Sequence, residues 1–377
     1  MTSALEVPTD GSLLPNGLET GTAPGDRRFR PDVEGLRAVA VLLVVLYHAS
    51  FPGLSGGYVG VDVFFVISGF VITGVLLRER AATGGTSILH FYGRRCRRII
   101  PAATLVIIAT VTLAYVVLGV VYGNRTAVDG RWTSVFLANV HFASVGTNYL
   151  SSQQSPSLLQ NFWTLAVEEQ FYLVYPTLFL VAAAVRSRVS LHVRLATGLI
   201  VVIVASFVLS VAQTASNPTV AYFSPLTRAW ELALGALVAV GARWLLTLSK
   251  GVAATMTWVG LGAILIAAFG FDSTTAYPGW LVAVPVVGAA LIIAGGTPVP
   301  RHSAESILRL APFQWTGRLS YSIYLWHWPI LMLAADAVGK LSLPFRQNLV
   351  WLAVALAASM VTFRLVENPV RRARLPV

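Results

Sequence analysis

The residues best able to do chemistry in this chain are a few ionisable side chains set in stretches otherwise apolar: His48, Asp62, Glu168, Glu169, Arg228, Glu231, His327 and Arg364, with Arg37 and Glu367 at the edges. Such groups are costly at hydrocarbon depth. Each therefore marks a bundle interior or a wet cavity, or else ties helices together by hydrogen bonds. Arg37 and His48 lie close to three helical turns apart, which puts a cation and an imidazole on one face, about 16 Å from each other along the axis. A neutral imidazole is the usual general base; the plainer alternative is a packing donor to a carbonyl. Asp62 follows a glycine-rich turn at similar depth, where it either orients His48 or caps its own helix. Glu168 and Glu169 are expected just inside the outer boundary of their span. Adjacent helical positions diverge by about 100°, so one of the two faces the cavity. Arg228 and Glu231, three apart, either pair on one helix face or belong to a substrate passage. Tyr324, Trp326 and His327, in SYSIYLWHWPI, are a membrane belt or the lining of an acyl passage.

A second group is cationic. FYGRRCRRIIPA carries Arg94, Arg95, Arg97 and Arg98 just before an apolar run. Guanidinium forks suit phosphate oxygens, so the cluster either binds a phosphorylated cytosolic ligand or anchors the chain to anionic lipid. Ser68 lacks the G-x-S-x-G setting of a nucleophile elbow. The single cysteine excludes a cysteine-based zinc cluster, and no metal is expected.

The elements that must hold these residues follow from composition. Of 377 residues, 56% are apolar and 11% charged, against about 25% charged in a soluble protein. The surplus must face lipid. The pattern predicts an all-α polytopic membrane protein of about ten transmembrane helices, at roughly 36–51, 57–77, 99–122, 162–185, 194–213, 225–243, 252–270, 279–296, 319–336 and 347–366. Segment 132–150, with Asn139, His141 and Asn148, reads as a re-entrant or surface helix instead. Threading the loops in and out leaves 21 basic residues on one side and four, Arg125, Arg131, Lys340 and Arg346, on the other. That bias places both termini in the cytosol. It also accounts for the net charge of +11 without nucleic acid. Residues 1–30 read as a disordered cytosolic tail lacking signal-peptide features, 31–372 as the transmembrane domain and 373–377 as a short cytosolic tail.

Taken in order, RPDVEGLRAVAVLLVVLYH, GGYVGVDVFFVISGF, FYGRRCRRIIPA, FWTLAVEEQFYLVYP, SYSIYLWHWP and VENPVRR resemble the integral-membrane acyltransferase-3 family. Its members O-acylate bacterial surface and secreted glycans, peptidoglycan and O-antigen among them, and some macrolides. The resemblance implies that Arg37 and His48 match the family's essential Arg and His, and that Arg94 to Arg98 match its basic motif. It further implies an acyl-coenzyme A donor, most often acetyl-CoA, at the bacterial inner membrane, with a carbohydrate or macrolide-type acceptor on the far side. The expected mechanism puts the arginine cluster and Arg37 on the coenzyme phosphates and makes His48 the base, aligned by Asp62 or a glutamate. It requires the basic pocket and that imidazole to share one continuous interior. The alternative is a proton-coupled transporter or flippase. The nearest branch carries a following SGNH-type esterase-like domain, whereas this sequence stops at Val377. Three readings follow: the chain acts alone, with a separate extracytoplasmic transferase, or as a piece of a longer protein.

Overall fold

The computed structural model describes residues 30–146, 155–300 and 302–372. The predicted tails apart from Arg30, Asn148 with the end of segment 132–150, and Arg301 lie outside the described residues. Ten principal helices carry the fold: α1 Pro31–His48, α2 Gly60–Thr83, α3 Ile88–Leu113, α4 Phe162–Ala184, α5 Leu191–Ser216, α6 Pro225–Val240, α7 Lys250–Gly270, α8 Ala283–Gly296, α9 Ala311–Asp336 and α10 Phe345–Thr362. Each coincides with one predicted apolar stretch, and no strand occurs among the described residues. The molecule is an all-α, multi-pass membrane protein. Six helices, α2, α3, α4, α5, α7 and α10, are long and apolar enough to span by themselves. The rest are shorter or more polar; α1 and α9 bury most of their residues inside the bundle, out of reach of lipid. Within 132–150, the described part past the helix Val120–Ser134 forms only Ala138–Ser144, too short to cross.

Helix α1 packs on α9 and α2, while α6 packs on α2 and α5. Small residues set these crossings. A Cβ on Gly317 of α9 would lie 2.1 Å from the Glu34 carbonyl oxygen of α1, and one on Gly235 of α6 would lie 1.9 Å from that of Val66 in α2. Only glycine permits such approach. Three ties bind α1 to α9 along their length: Gln314 Nε2 to the Pro31 carbonyl (2.7 Å), Arg37 Nη2 to Ser320 Oγ (2.8 Å), and His48 to His327. Both partners ascend in number together, so the two helices run in the same direction.

Candidate active site

On the basic side, a cavity opens among α1, α2, α3, α4 and α9. Its volume is about 830 Å³ counting its mouth, and Arg37, Ser68, Arg95, Arg98, Glu168, Tyr172, Ser320 and Tyr324 help to line it. Helix α3 presents Arg95 and Arg98 to this space because three residues separate them on one face. The Arg95 guanidinium lies 3.3 Å from the centre of the Tyr172 ring and reaches two carboxylates, Glu168 Oε1 (2.9 Å) and Glu169 Oε1 (3.2 Å). Glu168 also accepts from Ser68 Oγ (2.7 Å) and from the Tyr172 hydroxyl. Arg37 is held by Ser320 and by Glu34 at 3.6 Å. Arg98 has no hydrogen bond or ion pair to another described residue, although it lines the same cavity.

A second cavity, about 910 Å³ counting its mouth, lies at the opposite end of α1. Tyr47, His48, Ser50, Phe51, Trp328 and Ser342 are among its walls. His48 stands at its floor. The Nδ1 of His48 is 3.0 Å from Nε2 of His327, with the rings within 14° of parallel. Trp328 packs edge-on to His48 and donates its indole N–H to the Ser157 carbonyl (2.9 Å). His327 in turn lies 5.4 Å from the Tyr324 ring, centre to centre. The Tyr324 hydroxyl is anchored by Thr164 Oγ1 (2.8 Å) and the Asn161 carbonyl (3.1 Å). The expected single interior is thus two cavities with no shared wall residue, joined through three rings: Tyr324, His327 and His48.

Several expectations need correcting. Asp62 does not orient His48: its carboxylate binds Arg228 Nη1 (2.7 Å) and the Tyr277 hydroxyl. Arg228 also binds Glu231 (3.0 Å) and the Tyr222 carbonyl, and is buried, so it belongs to an internal ion cluster and lines neither of the two cavities. Glu168 and Glu169 lie deeper than expected, at the level of Arg95. The reason is the segment before α4: Leu158 to Asn161 is buried in the bundle, with Asn161 Nδ2 bonded to the Tyr324 carbonyl (2.8 Å), so the helix starts well below the far surface. Both carboxylates reach one guanidinium despite their divergent directions. Helix α9 begins eight residues earlier than predicted, placing His327 about 24 Å from its first residue. Trp326 turns away from both cavities and donates to Thr362 Oγ1 of α10 (2.8 Å). Arg94 pairs with Glu79 (2.7 Å), and Arg97 bonds the Gly93 carbonyl. Tyr172 and Tyr277 went unnoticed. The first carried a signal, its place four residues after Glu168; the second sits in a loop with none.

A family model described as an acyltransferase domain matches residues 30–366. The chain belongs to the acyltransferase-3 family. It is 31% identical over 360 residues to the peptidoglycan O-acetyltransferase OatA of Listeria monocytogenes, covering 92% of this chain and 56% of that protein. It is 30% identical over 357 residues to the O-acetyltransferase OatA of Staphylococcus aureus, covering 92% of this chain and 58% of that one. The chain therefore spans a little over half the length of these curated relatives. No solved structure matches it.

Proposed function

We propose that the chain is an O-acetyltransferase of the bacterial plasma membrane, taking acetyl from acetyl-coenzyme A on its basic, cytosolic side. The acceptor is a hydroxyl of an extracytoplasmic glycan, peptidoglycan by analogy with the relatives. The observation that carries this reading is His48, which floors the far cavity and connects through His327 and Tyr324 to a cavity holding three guanidiniums. Arg98 and Arg37 suit the phosphates of a coenzyme A, and Arg95, fixed by Glu168, Glu169 and Tyr172, shapes their seat. The pantetheine arm follows the cavity up to Tyr324, and bringing the thioester to His48 requires the Tyr324 hydroxyl to leave Thr164 Oγ1 and the Asn161 carbonyl. His48 takes the proton of the acceptor hydroxyl as its oxygen attacks the thioester carbonyl. The C–S bond breaks, the proton passes to the departing sulfur, and the products are the ester and coenzyme A thiol. Proton transfer contributes roughly 10²–10⁴-fold, and positioning adds to it.

The test is transfer of radiolabelled acetyl from acetyl-CoA by purified protein. His48→Ala is expected to fold, with a melting temperature lowered by the lost His327 and Trp328 contacts, and to transfer nothing above background. Normal turnover by that variant removes His48 from the mechanism.

A further inference from the structure

The ring carrying the proposed base touches a second histidine, and that second ring has a fixed polarity. His327 Nδ1 lies 3.2 Å from the carbonyl oxygen of Ile323, one turn earlier on α9. A carbonyl only accepts, so Nδ1 carries the hydrogen. His327 is fully buried, and no carboxylate among the described residues bonds to its ring. An unpaired charge there is costly, so the ring is neutral and its Nε2 bears a lone pair. That lone pair faces His48 Nδ1 at 3.0 Å. His48 must then donate from Nδ1, and in the neutral His48 ring that leaves Nε2 unprotonated.

We propose that His327 is a positioning residue: through the chain Ile323 carbonyl, His327, His48, the backbone of α9 selects the His48 tautomer whose Nε2 accepts a proton. The inference rests on His48 being the base. The packing supports it, since Trp328 edge-on to His48 and the near-parallel rings leave the imidazole one orientation. When Nε2 takes the hydroxyl proton, the Nδ1–H of the resulting imidazolium still donates to His327. That bond becomes charge-assisted and stronger, so His327 supports the cation without itself accepting the proton. In serine hydrolases a carboxylate performs this duty, and loss of the correct tautomer there costs about 10⁴-fold. A neutral partner fits a site this deep in a membrane, where a second carboxylate would carry its own burial penalty.

The full chain in detergent, with ¹⁵N-labelled histidine, tests this directly, because protonated and bare ring nitrogens resonate far apart. Signals lost in His48→Gln identify His48. The expected spectrum of the unsubstituted protein has Nδ1 of His48 protonated and Nε2 bare. A protonated Nε2 overturns the proposal. His327→Gln, whose side-chain carbonyl accepts in place of the ring, is expected to stay within about tenfold of full kcat. His327→Leu is expected to lose about 100-fold in kcat, with the KM for acetyl-CoA unchanged and both His48 tautomers present. Equal losses in the Gln and Leu variants, both folded and both binding acetyl-CoA, also overturn it. If the tautomer is as stated but His48→Ala still turns over, the assignment of the base fails while the relay stands.

Discussion

Two arginine clusters in this molecule are built from the same parts and sit in opposite surroundings. Arg228 meets Asp62 and Glu231; Arg95 meets Glu168 and Glu169; each guanidinium also lies near aromatic rings. The side chains of the first cluster are at most 1% exposed, whereas Arg95, Glu168 and Glu169 are 14–19% exposed along an open cavity. Around Arg228, the Tyr277 hydroxyl bonds Asp62 and the Tyr222 carbonyl accepts from the guanidinium, while Glu231 Oε2 is buried without a hydrogen-bond partner among the described residues. Beside Arg95, by contrast, stands Arg98, which the protein leaves to be paired by something else. Arginine with two carboxylates is therefore a buried structural cluster in one place and, under the proposed function, part of a donor seat in the other, where a further cation is left over.

Substitutions can break that contrast. The largest effect is expected from Arg228→Ala, which strands two buried carboxylates: a loss of about 3–5 kcal/mol, read as a collapse of the melting temperature or of folded yield. A stable, fully folded variant would mean the cluster is not structural. Arg98→Gln is expected to leave the melting temperature alone and to weaken acetyl-CoA binding by about 10- to 100-fold in calorimetry, the worth of one charged hydrogen bond. Undiminished affinity would reduce Arg98 to an anchor of membrane topology. Tyr172→Phe keeps the ring beneath Arg95 but removes the hydroxyl bonded to Glu168. It is expected to cost about 1 kcal/mol in thermal stability, with a severalfold rise in KM for the donor. Arg94→Gln should change neither measurement beyond about 0.5 kcal/mol, since the Arg94 side of its pair with Glu79 is half open to solvent. A large loss of donor affinity there would extend the donor seat to the outer face of α3.

How much of this was legible in the sequence depends on the range of the interaction. All ten principal helices were, because each carries a local apolar stretch, although only six of them are long and apolar enough to span by themselves. So was the shared face of Arg37 and His48, which needs only the helical repeat. The depth of Glu168 was not, because it depends on the dip of residues 158–161 into the bundle, tied by Asn161 to α9. The partner of Asp62 lies 166 residues away, and that of His48 lies 279 residues away. No spacing rule reaches so far. Glu367 was legible as an ionisable group facing the interior, where it accepts from Ser322 Oγ (2.7 Å), but the π-helical turn over Phe363–Glu367 that carries it was not.

The central claim is that donor and acceptor meet from opposite faces, with His48 between them. Sealed proteoliposomes of uniformly oriented protein test it, with radiolabelled acetyl-CoA supplied only at the face bearing the arginine cavity. The account predicts label on the opposite face, as ester on added peptidoglycan fragments or as acetate, and none with His48→Ala. Label appearing only on the face where acetyl-CoA was added would contradict it.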